Sequence, residues 1–237
     1  MTPYSETFAY AGKLIAYDVI FVNRKTLEIA VYPDSRVVVK APKSTDRKDI
    51  ESRITKRARW IQRQQDYFRQ FDPRTLPRQY IGGETHRYLG RQYRLKLVEG
   101  DVASVKLVRG FFMVVCQDRQ DTGYVKALLW SWYTQRAQEK FVESFERCWP
   151  AFEKRGLSRP RLKLRRMKTR WGSLSASGVL TLNLNLILVP RECLEYVIVH
   201  ELCHLKHHNH SVVFYQLLEK MMPDWAKRKH KLEFALI

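Results

Sequence analysis

The sequence predicts an α+β protein, a β-rich first half followed by a half in which strands pack on a helix that carries a His-Glu-x-x-His motif. Three observations predict it. Apolar and polar residues alternate through much of the first 118 positions, a helical period takes over from about residue 119, and a His-Glu-x-x-His motif lies in an apolar stretch near the C-terminus. The division is therefore expected between a β-rich region with one helix, residues 1–118, and a region of helices and strands built around that motif, residues 119–237.

The elements follow in order. Leu27, Ile29 and Val31 alternate with polar neighbours, Pro33-Asp34-Ser35 marks a turn, and Val37 and Val39 return. From about Thr45 to Phe71 the period changes: Ile50, Ile54, Ile61 and Phe68 recur at helical spacing beside Trp60 and Tyr67, and Pro73 and Pro77 end the run. "YLGRQYRLKLV" and "SVKLVRGFFMVVC", the second pivoting near Gly110, read as hairpins. A long amphipathic helix is expected from about Gly123 to Trp149, with Val125, Leu128, Trp132, Phe141 and Phe145 toward one face. No internal repeat is legible. "RLKLRRMKTRWGSLSASGVLTLNLNLILVP" reads as two strands joined around Ser175–Gly178, with Thr181, Asn183 and Asn185 alternating against Leu182, Leu184 and Leu186. Pro190 then opens a helix expected over Arg191–His208.

Composition bounds the function. A chain of 237 residues, 45% hydrophobic, can bury a sizeable core and is not of the disordered class. Its net charge of +19 attracts polyanions, so nucleic-acid or nucleotide contact through basic patches is expected beside a protein or peptide substrate. Cys116, Cys148, Cys193 and Cys203 contain no CxxC pair and read as reduced core thiols. The N-terminus lacks a signal-peptide pattern and no apolar run is long enough to span a bilayer, so a cytoplasmic protein without membrane contact is expected.

Five of the seven histidines fall within the eleven positions 200–210. His200 and His204 project from one helix face, one turn apart, so both imidazoles can reach one ion. Glu201 is rotated aside, where its carboxylate can meet a water instead of the metal. His210 follows after a stretch long enough for the chain to turn back as a third ligand. Zinc, one per chain, fits three imidazoles with a remaining water, and Glu201 would activate that water as base. His207 and His208 are placed at the helix end, Asn209 at a left-handed exit, and Ser211 at the next N-cap. The apolar setting, the preceding strand and the third histidine favour a metal site over a chance motif.

The stretch "MKTRWGSLSASGVLTLNLNLILVPRECLEYVIVHELCHLKHHNHSVVFY" resembles the YgjP-like family of metallopeptidases, relatives of the SprT-like zincins. Arg170-Trp171-Gly172-Ser173, the Leu-Asn strand, the proline before the helix and Asn209-His210-Ser211 carry the resemblance. "TKRARWIQRQQDYF" and "YLGRQYRLKL" extend it into the first half. The resemblance implies a zincin-like second half, His200, His204 and His210 as zinc ligands, and Glu201 as catalytic base. Leu174 departs from the cysteine usual in that family, which argues against a ligand there.

Substrate residues are expected at Arg170, as a stabiliser of developing negative charge, and at Asn183 and Asn185 on a strand Thr181–Leu186 that would receive an extended peptide. The basic run "RLKLRRMKTR" puts Arg161, Lys163 and Arg165 on one strand face beside the centre, and "KRKHK" follows near the C-terminus. Three readings remain open: a zinc metallopeptidase, a metal-dependent nucleotide phosphohydrolase cleaving phosphoanhydrides, and a nucleic-acid-binding protein with a structural zinc.

Overall fold

The structure is a computed structural model that describes residues 3–24, 26–32, 34–69, 77–167 and 170–235. It is α+β, and it divides into two compact units, Met1–Arg74 and Thr75–Ile237. The change of composition near residue 119 is therefore not the unit boundary. The second β-rich stretch belongs with the helices that follow it, because its apolar face is covered by them. Pro33, Phe71, Pro73 and Lys168, used in the sequence reading, lie outside the described residues.

In the first unit, strands β1 (Tyr4–Tyr10), β2 (Lys13–Val22), β3 (Glu28–Val31) and β4 (Val37–Pro42) form one sheet in the order β1-β2-β4-β3. Helix α1 (Arg47–Arg69) follows. Alternate residues Ile15, Tyr17 and Val19 of β2 and Val37, Val39 and Ala41 of β4 point to one face. They meet Ile50, Ile54 and Ile61, which stand four and seven residues apart on one face of α1.

The second unit opens with the same plan. β5 (Thr85–Tyr88), β6 (Arg91–Glu99), β7 (Ser104–Val108) and β8 (Phe111–Cys116) form a sheet in the order β5-β6-β8-β7. A long helix, α2 (Thr122–Cys148), again follows, and Asp121 caps it by accepting from the Tyr124 N–H at 2.9 Å. In both sheets two antiparallel hairpins join through a central parallel pair, β2 with β4 and β6 with β8. The chain thus contains a topological repeat that its sequence does not display. What persists is a turn: Tyr10-Ala11-Gly12-Lys13 and Tyr88-Leu89-Gly90-Arg91 each place two residues at positive φ, the geometry of a tight hairpin.

Only the second copy carries the remaining elements: α3 (Pro150–Glu153), β9 (Arg161–Arg165), β10 (Gly172–Leu174), β11 (Val179–Asn183), a 3-10 turn (Leu184–Ile187), α4 (Arg191–Cys203), α5 (Val212–Met221) and α6 (Trp225–Phe234). Phe112, Val114 and Cys116 of β8 share a core with Val125, Leu129 and Trp132 of α2. The same core continues through Phe141 and Phe145 to Leu182, Leu194 and Ile198. The four cysteines are free, and Cys116, Cys193 and Cys203 are buried in it. Among the described residues no helix is long and apolar enough to cross a membrane.

The turn at Leu89–Gly90 ties the repeated module to the segment before α4. Leu89 N–H donates to the Ile187 carbonyl at 2.8 Å and Gly90 N–H to the Leu188 carbonyl at 3.1 Å. A Cβ on Gly90 would stand 2.6 Å from Pro190 Cγ, on the residue that opens α4. Gly12, at the matching turn, has open space around it. Gly12→Ala should therefore cost about 1 kcal/mol, from its φ alone. Gly90→Ala should cost at least twice as much, because Pro190 must also move. Chemical unfolding of the two variants checks this, and equal losses would show that the contact does not matter.

Candidate metal centre

The three-stranded sheet β10-β11-β9 carries the site. β11 runs parallel to β9 and antiparallel to β10. The expected continuous strand Thr181–Leu186 is cut at Asn183, where the chain tightens into the 3-10 turn. β11 is also the central strand, with its backbone groups paired on both sides, so it cannot be the strand that accepts a peptide. The free edge next to α4 belongs to β10.

Asn183 explains the break. Its Oδ1 accepts from the Asn185 N–H at 3.1 Å, and its Nδ2 donates to the carbonyls of Met167 and Arg170 at 2.8 and 2.9 Å. It is 3% exposed. Asn183 therefore clamps the loop that carries Arg170 and Trp171, with its polar atoms already used. Asn185 lies in the 3-10 turn, half-buried, and not on the same strand face as Asn183.

α4 ends earlier than expected. From His204 to Lys206 the amides bond three residues back instead of four, to Glu201, Leu202 and Cys203. This tightening ends the helix at Cys203, with His204 as its C-cap. His207 and His208 thus lie beyond it, and Asn209 is not among the residues with positive φ. Ser211 occupies the N-cap of α5 without a side-chain capping bond. The early exit frees the chain to bring His210 back.

His200, His204 and His210 offer ligand atoms that all lie within 4.8 Å of one another. His200 Nε2 and His210 Nε2 are 3.0 Å apart. The His204 Nδ1 hydrogen-bonds the His207 carbonyl at 2.9 Å, which puts the proton on Nδ1 and leaves Nε2 as the lone-pair nitrogen. Phe214 packs against all three rings, with centroids 4.7 to 5.1 Å away. Burial, then the neighbouring His204 and His210, push the His200 pKa down to about 4, so this imidazole is neutral at physiological pH. Burial also lowers that of His210. Three convergent imidazoles fit a tetrahedral zinc ion, whose nitrogen ligands sit at roughly 2.0–2.1 Å.

Glu201 lies beside them, 8% exposed, wedged against β10. A Cβ on Gly172 would come within 2.8 Å of Glu201 Cγ and 2.9 Å of its Oε1. Burial pushes the Glu201 pKa up to about 7, against the opposing pull of the Leu174 backbone hydrogen bond and the Arg170 charge. Arg170 itself is exposed. Sequence reasoning missed Gly172, the Leu174 N–H, the His207 carbonyl and Phe214. Gly172 stood in view beside Trp171, and Phe214 sits one turn after His210. The backbone groups left no mark in residue identity.

The basic runs are placed differently from expectation. Arg161, Lys163 and Arg165 are exposed on β9 and stand in register with Val179, Thr181 and Asn183. Gly172 and Leu174 stand in register with Leu182 and Leu180, one residue out of phase. Side chains in register share a face, so these cations lie on the opposite side of the sheet from Gly172 and α4. In "KRKHK", Arg228 pairs with Glu195 and Asp224, Lys229 with Glu233 and Lys231 with Glu192.

Comparison with known proteins gives the family. The model of the YgjP-like, metallopeptidase domain family matches residues 25–234. The chain belongs to the YgjP-like family. As a YgjP-like protein it is at family level a metallopeptidase, and a metal is implied. Among solved structures, the crystal structure of the metallopeptidase zymogen of Pyrococcus abyssi abylysin is similar at 28% identity and a TM-score of 0.33, covering 37% of this chain and 85% of that one. No curated protein matches the YgjP-like chain.

Two outcomes follow. Asn183→Ala should destabilise the protein by about 2–4 kcal/mol, since four backbone groups, the N–H of Met167 and Asn185 and the carbonyls of Met167 and Arg170, lose a buried partner. A changed substrate KM with unaltered unfolding would instead point to substrate contact. The second concerns Glu201 in metal-free protein. Its folded pKa is raised from 4.5 to about 7, so the folded state holds a proton that the unfolded chain releases. Stability from this group is thus full below pH 4.5 and falls as pH rises through 7, by about 3 kcal/mol in all. Glu201→Gln should gain on the wild type across that window, as read from urea midpoints in chelator. The His200 contribution runs the other way but is common to both proteins. A difference that does not change with pH would refute the buried carboxyl.

Proposed function

We propose that the protein is a zinc metallopeptidase of three-histidine type, with a zincin-like second half. His200, His204 and His210 hold one zinc ion through Nε2 atoms, the atom being supported most directly at His204. Bound zinc supplies Lewis acidity and lowers the pKa of a coordinated water to about 7. Glu201 takes the proton from the attacking water and delivers it to the leaving amine. Its depth against Gly172 and the bond from Leu174 N–H orient the carboxylate for both transfers. Arg170, close enough to bias Glu201 electrostatically, is assigned to negative charge developing on the substrate.

The substrate is proposed to be an extended polypeptide on the outer edge of β10. Asn183 N–H bonds Trp171 O at 2.8 Å and Ser175 N–H bonds Val179 O at 3.0 Å. The alternation of an antiparallel pair therefore turns the backbone groups of Gly172 and Leu174 outward. Leu174 N–H serves Glu201, and the Gly172 N–H and C=O are left for an added strand. This edge beside Glu201 is the observation that carries the reading over phosphoanhydride hydrolysis. The cations of β9, which would serve phosphate, occupy the other face of the sheet.

Metal analysis and a proteolysis assay on unfolded casein test the proposal. About one zinc per chain is expected in the wild type, with clear loss in His210→Ala. Glu201→Gln should retain zinc and lose at least about a hundredfold in rate. An unchanged rate in Glu201→Gln, or turnover of nucleoside triphosphates but not of casein, would overturn it.

A further inference from the structure

The first unit has its own groove, remote in sequence from the histidines. It lies between the flank of α1 and the edge strand β3, with a volume of about 550 Å³. Leu27, Ile29 and Trp60 give it an apolar surface, and Arg24, Arg53, Lys56 and Arg57 stand around it with one acid, Glu28. From Ser52 to Gln65, α1 holds Arg53, Lys56, Arg57, Arg59 and Arg63 and no acid. Arg24 is paired with Glu28 and Arg53 with Asp49. Lys56, Arg57, Arg59 and Arg63 have no acidic partner among the described residues. Trp60 is 37% exposed in their midst.

Helical geometry makes this one continuous surface. At 3.6 residues per turn, Arg53, Lys56, Trp60 and Arg63 form a stripe set roughly 120° from the buried line of Ile50, Ile54 and Ile61. The topological repeat gives an internal comparison. Buried residues on α2 sweep roughly 220° of its circumference, whereas those on α1 span roughly 80°. The helix of the second copy thus spends its extra faces on packing. That of the first copy leaves a flank uncovered and loads it with cations around an indole.

We propose that this groove binds single-stranded nucleic acid, with phosphates on Lys56 and Arg57 of its lining and on Arg63 a turn beyond it along α1, and an unstacked base on Trp60. Free cations at helical spacing suit a repeating phosphate backbone. The indole selects among polyanions: a duplex hides its base faces, and an acidic peptide has none to stack. Apolar floor with a cationic rim is the arrangement expected for a chain that is charged along its backbone and flat in its bases.

Fluorescence anisotropy of a labelled 15-nucleotide single strand, RNA and DNA in separate arms, tests this on the full chain over a series of salt concentrations. Wild-type binding should weaken as salt rises. Lys56→Glu/Arg57→Glu should weaken binding at least about tenfold and flatten the salt dependence. Trp60→Ala should weaken it by about tenfold with the salt dependence unchanged. Equal binding of RNA and DNA, or a preference for either, is consistent with the groove, provided the duplex of the same sequence binds less well. The proposal falls if both variants bind as the wild type does, if Arg161→Glu/Arg165→Glu carries the loss instead, or if polyglutamate displaces the oligonucleotide equally well. The substituted positions are exposed, and far-UV circular dichroism together with zinc content checks that the variants fold.

Discussion

The close approach of β10 to α4 at Gly172 is the constraint on which the centre depends. Any side chain there would overlap Glu201 and Val197, so only glycine lets the strand reach the helix. That approach does three things at once. It buries the Glu201 carboxyl enough to raise its pKa, brings the Leu174 N–H to it, and sets a free strand edge beside it. A carboxyl left in water beside the same three imidazoles would be an ordinary anion, poorly matched to a proton transfer at neutral pH.

Two anchors hold that approach. Asn183 closes the loop leading into β10 by satisfying backbone groups that burial would otherwise leave unpaired. The Leu89–Gly90 turn bonds the chain just before α4 and lies against Pro190. The segment leading to the three histidines is therefore anchored partly by a hairpin more than a hundred positions earlier in the chain. Phe214 completes the support by filling the space behind all three imidazoles.

The repeated sheet-and-helix plan shows one architecture in two settings. In the second copy α2 is an internal helix, buried over most of its circumference, and its sheet shares a core with the elements that carry the histidines. In the first copy the helix is buried along one narrow stripe, and its remaining surface is dominated by arginine and lysine. Burial tolerates few charges, so the copy that packs on both sides cannot carry such a surface. The copy that packs on one side can.

Local periodicity determined most of the secondary structure, because the alternation of β9 and the three-to-four spacing of α1 and α2 are properties of adjacent residues. The convergence of His200, His204 and His210 was legible for the same reason: spacing on one helix and a short return are local facts. Three features were not local. The end of α4 at Cys203 reflects a tightened backbone that its apolar sequence does not announce. The central position of β11, the internal role of Asn183 and the opposite face of Arg161, Lys163 and Arg165 depend on which strands pair, and register inverts a side chain with each residue of slip. The division between units and the topological repeat depend on which core each sheet joins. Sequence thus determined which chemical groups are present and in what local order, whereas tertiary packing decided which of them are buried, paired or left at a free edge.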